Sequence, residues 1–526
     1  MKWRMSAALA ALVLVGIVVA LVLSAPRPQA AGAESTVLFA RSGDSYGLDP
    51  QGTEWGEDAM VLDSLFETLV RFQEGSVELE PGLAESWQER NGGIEWEFAL
   101  RKNVFFHDGT LFSADAVVFT FERLIRKQPD NPYAPESAPY ASMYEVIEKI
   151  EAIDQYKVRF TLKTPSAVFL KNLAMFPAGI VSPEAAKKEA DGFARNPVGT
   201  GPMQFVQWQK DVKLEIARNP RYWNPEKGAR CSGVIFLPRA DARVRVEDLR
   251  TGHAHIVNNI GLADLKALQK DERIRLDFAP AMNVCYLGFN MNQPPYSDPK
   301  FRQAVAHAVN FDKLIEKGYH GLAERAGSLV PPAIFTGDGT AKRYPYDPER
   351  ARELLKEVQL PEDGVTIWHP NFSRPYVPEP DKVAEAIKDD LIEVGLKVKV
   401  ESMPIATFRE KTKEKDHPMF ILGWSTDNAD PDNFFFALLH GSSIGGTNAT
   451  FMDDPRFNEL VKKGQEEVEP SKRRALYVEA EKVFQEALPL LPLVHVRQAV
   501  AFSKDVKYRL HPIETRAYLI EFAPAK

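Results

Sequence analysis

The stretch "GVTIWHPNFSRPYVPEPDKVAEAIKDDLIEVGLKVKVES", Gly364 to Ser402, changes its hydrophobic period twice. Val365 to Trp368 is short and apolar with β-branched residues, which predicts a strand. From Asp381 to Val394 apolar side chains recur at helical spacing, through Val383, Ala384, Ile387 and Leu391. Gly395 can take the left-handed turn that ends such a helix. Leu396 to Val400 then predicts a second strand. Strand, helix and strand at this spacing make a βαβ crossover. Ligands of open α/β sheets bind outside the carboxyl ends of the strands. That edge is where "NFSRPYVP" falls, with Arg374 and Tyr376 on a loop stiffened by proline.

A second stretch, "MFILGWSTDNADPDNFF" (Met419 to Phe435), bears on the same edge. Met419 to Trp424 predicts another strand, and Asp427 lies just beyond its carboxyl end. If the Val365 and Met419 strands are parallel neighbours, Arg374 and Asp427 emerge on one edge. One positive and one negative charge beside aromatics suit a zwitterion. A guanidinium fork fits a carboxylate, and a carboxylate accepts the hydrogens of an ammonium group. Short peptides and free amino acids carry both ends, and Tyr376 and Trp424 would supply apolar walls with polar tips. The plainer reading is that Arg374 and Asp427 pair with each other or with other surface charges.

Elsewhere strands and helices mix. "IEWEFAL" (Ile94 to Leu100) and "KVRFTLK" (Lys157 to Lys163) alternate as half-buried strands, and Ser113 precedes a helix over "ADAVVFTFERLI". Asp298 with Pro299, and Asp454 with Pro455, each cap an amphipathic helix. The class is α/β. With 526 residues, two or more domains, or one core with large insertions, are expected. The formal net charge of −8, with acids and bases interspersed, offers no basic stripe, so no nucleic-acid partner is expected. Lys2 and Arg4 precede an apolar run from Ala7 to Leu23, and "AGA" (Ala31 to Ala33) suits a cleavage site. This reads as a signal peptide over residues 1–33, with an uncleaved membrane anchor as the alternative. Cys231 and Cys285 are either a disulfide or two separate buried thiols.

Catalytic and metal motifs are weak. "GSSIG" (Gly441 to Gly445) has the spacing of a serine-hydrolase elbow but no strand leading into it. His253 and His255 lack a third ligand and read as solvent-facing. The aspartates of "DNADPDN" miss the calcium-loop spacing. Neither an enzyme nor a cofactor is expected.

The chain resembles the bacterial extracellular solute-binding proteins that serve peptide and nickel ABC transporters. The carrying segments are "LEPGLAESW" (Leu79 to Trp87), "FALRKNVFFHDGTLFSADAVVFTFERL" (Phe98 to Leu124) and "NPVGTGPMQFVQW" (Asn196 to Trp208). They continue with "NPRYW", "FNMNQPPYSDPKFRQAVAHAVNFDKLI" (Phe289 to Ile315), "SRPYVP" and "GWSTDNADPDNFF". The last two look like the segments with which dipeptide-binding members hold their ligand. The resemblance implies Asp427 at the ligand's amino group, Arg374 at its carboxylate and Tyr376 and Trp424 along the pocket. Asn290 would lie in a segment that runs into the cleft.

The fold it implies is a two-lobe periplasmic-binding-protein fold of type II, with an extra subdomain in the first lobe and ligand in the interlobe cleft. The lobes are expected at 34–278 plus 491–526 and at 279–490, with hinges near "AMNVCYLGF" and "LPLVHVRQA". The implied function is a periplasmic, monomeric receptor that passes di- or short peptides to the permease subunits of an ABC importer. The alternative is a receptor of the same fold for haem, a nickel chelate or an oligosaccharide.

Overall fold

A computed structural model describes residues 36–126, 130–188, 192–337, 344–371 and 373–523. The expected signal segment lies outside them, and no described helix is long and apolar enough to cross a membrane.

Each lobe is built on its own sheet. Seven strands form the first, in the order Ile274–Ala279, Gln498–Ser503, Ile256–Asn258, Thr36–Arg41, Gly233–Pro238, Lys213–Arg218, Met203–Gln209. Thr36–Arg41 runs parallel to both of its neighbours. Six strands form the second, in the order Ala323–Arg325, Leu490–Val496, Asn283–Gly288, Met419–Ser425, Val365–Pro370, Val398–Met403. A four-stranded antiparallel sheet, built from Ala84–Arg90, Glu95–Leu100, Lys157–Leu162 and Ile147–Asp154, is inserted in the first lobe. The helix Ala114–Ile125 buries Val117, Phe121 and Leu124 in that subdomain's own core.

The βαβ unit forms as its periodicity predicts, with the helix at Pro380–Glu393 and Gly395 at φ +97°. Its second strand begins later than Leu396, at Val398. Leu396 N–H still bonds the Leu391 carbonyl, so these residues finish the helix before the strand can start. Asp298 and Asp454 cap their helices by accepting from Lys300 N and Phe457 N, both at 2.8 Å.

The chain passes from the first sheet to the second between Ala279 and Asn283, and returns between Val496 and Gln498. The expected return at 491 falls inside the Leu490–Val496 strand, whose pairing with Asn283–Gly288 keeps it in the second lobe. Asn283 ties the two crossings together. Its side-chain amide donates to Val496 O (2.8 Å) and its carbonyl accepts from Val496 N (3.0 Å). Cys231 and Cys285 are separate buried thiols, not a disulfide.

Candidate ligand-binding site

Two loops leave one edge of the second sheet. The Val365–Pro370 and Met419–Ser425 strands are parallel hydrogen-bonded neighbours, with Ile367 opposite Met419 and Trp368 opposite Phe420. The loops after their carboxyl ends carry Arg374 and Asp427. Gly423 locks the two together: a Cβ there would stand 2.3 Å from Tyr376 Cδ2 and 2.4 Å from the Val284 carbonyl oxygen. Tyr376 therefore lies flat on the strand that delivers Asp427, which only glycine permits.

The Arg374 loop is a tight turn in which Arg374 and Val377 exchange backbone hydrogen bonds of 3.1 and 3.0 Å. Tyr376 O accepts from the Tyr319 hydroxyl at 3.1 Å. Burial raises the pKa of the Tyr376 phenol, and the Arg374 guanidinium, hydrogen-bonded to it, acts in the opposite sense.

Asp427 is held from the other lobe. The Tyr140 hydroxyl, on the inserted subdomain, donates to Asp427 Oδ2 at 3.0 Å. Asp427 keeps surface open to water, yet protein from both lobes crowds it. Burial pushes its carboxyl above the usual range, and the bond from Tyr140 pulls the other way. Burial and the neighbouring Asp427 keep the Tyr140 phenol protonated and therefore a donor. An acid so placed gains from a cation that could join it.

The other two aspartates of the loop do different work. Burial alone would raise Asp430, but the Arg473 guanidinium, bonded to both its oxygens at 2.8 and 2.7 Å, holds it below the usual range. Asp432 is left with neutral donors, Gln465 Nε2 at 3.1 Å and the Tyr477 hydroxyl at 3.2 Å. Burial and the charge of Asp430 push it up to about 7. One guanidinium cannot serve two buried carboxylates equally.

The structure does not bring together every residue expected at the site. Tyr376 belongs to the core on one face of the second sheet, whereas Trp424 packs against the core on the other. The Trp424 indole donates to Asn433 Oδ1 at 2.8 Å and pins the far end of the Asp427 loop. Asn290 is fully buried, with its amide nitrogen on the carbonyls of Lys415 (3.0 Å) and His417 (2.7 Å). Its oxygen accepts from Asn292 N, so this side chain braces backbone. Tyr140 escaped the sequence reading because 287 residues separate it from Asp427 and no local pattern marks it.

Beyond the aspartate, the lobes touch again. Asn428 Nδ2 donates to Asn172 Oδ1 at 3.0 Å, both buried, and Ala167 N donates to Gln465 O at 2.8 Å. Lys171 Nζ reaches the Ala429 carbonyl and lies 4.0 Å from Asp430. The two lobes therefore meet around the Asp427 loop. A separate cavity of about 40 Å³ inside the first lobe, lined by Glu67, Arg71, Tyr222 and Arg516 among others, has room for water but not for a peptide.

The catalytic motifs gain no support. Ser443 sits on one turn of 3₁₀ helix and gives its hydroxyl proton to Phe436 O at 2.9 Å. His255 is not solvent-facing as expected: its Nδ1 accepts from Leu38 N at 3.0 Å, and burial lowers its pKa. No group of three or more potential metal ligands occurs among the described residues.

Comparison with known proteins identifies the family. The profile of the bacterial extracellular solute-binding proteins, family 5 (middle region), matches residues 78–446. Di/tripeptide-binding protein 1 of Pseudomonas aeruginosa is 33% identical over 504 residues, covering 92% of this chain and 93% of that protein. The periplasmic binding protein DppA of Helicobacter pylori, solved with the peptide STSA, is 31% identical with a TM-score of 0.79, covering 93% and 98% of the two chains. HbpA2 of Haemophilus parasuis is 28% identical with a TM-score of 0.86, covering 93% and 100%. The first two of these relatives are binding proteins by name, in keeping with a two-lobe solute-binding fold. The chain belongs to the bacterial extracellular solute-binding proteins of family 5.

Proposed function

We propose that this protein is the periplasmic receptor of an ABC importer, which captures di- or short peptides by their charged ends and delivers them to the membrane permease. Asp427 takes the ligand's ammonium group and Arg374 its carboxylate, while Tyr376 backs the arginine and Tyr140 closes over the aspartate. The observation that carries this reading is the pair of loops on adjacent parallel strands, one with a guanidinium and one with a carboxylate whose charge is answered, among the described residues, only by a neutral phenol. The relatives' names, a di/tripeptide-binding protein and a protein solved with a peptide, support the substrate class.

The test is calorimetric titration after unfolding and refolding to strip carried-over ligand. Free dipeptides bind, and acetylating the amino end or amidating the carboxyl end abolishes binding. Asp427→Asn loses free dipeptides with the fold intact. Binding that tolerates both blocked ends would make the two charges structural and remove the proposed substrate.

A further inference from the structure

The first lobe also has a ligand edge. Thr36–Arg41 is parallel to both its neighbours, so the loop that follows it, residues 42–55, leaves the carboxyl side of that sheet. This loop is tightly held. Asp58, fully buried, accepts from Tyr46 N (2.8 Å), Gly47 N (3.2 Å) and Thr53 Oγ1 (2.6 Å). Trp55 N in turn donates to Thr53 Oγ1 at 3.1 Å.

On this rigid support two large rings face water. Tyr46 and Trp55 stack with centroids 4.6 Å apart and planes 25° from parallel, yet remain 63% and 48% exposed. Between them in sequence is Glu54, exposed and with no hydrogen bond or ion pair among the described residues. The other acids of this region are engaged: Asp44 with Trp208, Asp49 with Arg123, Glu57 with Ser42, and Asp58 as above. The loop abuts the segment of the inserted subdomain that reaches the other lobe, since a Cβ at Gly52 would lie 3.3 Å from Pro135 Cβ. That segment ends at Tyr140, which bonds Asp427. Glu54 is near enough to Tyr140 for its charge to raise the phenol's pKa further.

We infer that Tyr46, Trp55 and Glu54 form a subsite for a cationic side chain on the first residue of the bound peptide. The inference rests on the end-capture reading of Asp427 and Arg374. A guanidinium stacks on an indole or phenol face and pairs with a carboxylate at its edge. The subsite lies on Asp427's side of the cleft, so the residue next to the ligand's ammonium group supplies the cation.

The experiment compares Arg-Ala with citrulline-Ala, which has nearly the same shape but no charge, by titration calorimetry on the refolded full chain. Arg-Ala binds about tenfold tighter, the scale of a partly desolvated cation–π contact joined by a carboxylate. Glu54→Gln brings the ratio of the two affinities close to one, and Trp55→Ala shrinks it. Equal affinities in the unaltered protein, or a ratio that survives Glu54→Gln, overturn the subsite. In that event both peptides still vanish in Asp427→Asn, so end capture stands without it. If no free dipeptide binds at all, both readings fall together.

Discussion

Among the residues of the Asp427 loop, Asp432 has the clearest pH consequence. Its carboxyl is raised to about 7 in the folded protein, against about 4 when unfolded. A raised acid binds its proton more tightly when folded, so its contribution to stability is complete below pH 4 and is lost as pH climbs to 7. Raising the pH from 5 to 8 therefore costs about 2 kcal/mol that Asp432→Asn does not lose. Denaturant melts of both proteins at the two pH values check this, and parallel pH dependences would refute it. Gly423 is a second sensitive point. Gly423→Ala drives a methyl group into Tyr376 and the Val284 carbonyl, costing about 1–3 kcal/mol and shifting the Arg374 turn. Titration should show weaker binding of free dipeptides even where the variant remains folded.

At the level of elements, the crossing strands depend on Asn283. Asn283→Ala strips partners from both the N–H and the C=O of Val496, at a cost of about 2–3 kcal/mol. Hydrogen exchange at Val496 should accelerate, and unchanged exchange would show that the side chain is dispensable. The βαβ unit was legible because each of its segments has its own period and Gly395 ends the helix. The Arg374 and Asp427 loops could be placed on one edge only on the condition that the Met419 strand lies parallel beside the Val365 strand, which the pairing meets. The return hinge expected in "LPLVHVRQA" contains the observed crossing, but the lobe boundary at 491 fell early because nothing local in "LPLVHV" tells which sheet will pair with it. Asn290 and Trp424 were read as ligand contacts from their segments, but their polar atoms meet distant backbone and Asn433, and those partners are set by tertiary packing.

For the whole molecule, the contacts of Asn172, Lys171 and Ala167 with the second lobe hold the cleft shut around Asp427 without using the ligand's atoms. Closure and ligand binding then draw on one equilibrium, and weakening the contacts lowers apparent affinity by reducing the population of the closed form. Lys171→Met removes one hydrogen bond and a partly buried charge, worth about 1 kcal/mol. Dipeptide affinity should fall about fivefold, and the ligand-free protein should show a larger radius of gyration in solution scattering. An unchanged radius and affinity would mean that closure does not depend on this contact.

The two thiols divide between the lobes, Cys231 in the core of the first and Cys285 in the core of the second. Burial pushes them up to about 11 and about 12, so neither is a nucleophile at neutral pH while its core is intact. Each can be alkylated only when its own lobe opens to solvent. A single labelling time course, read by mass at the two cysteine peptides, thus gives two unfolding clocks. Equal rates would mean that the lobes come apart as one cooperative unit, and unequal rates would name the lobe that yields first.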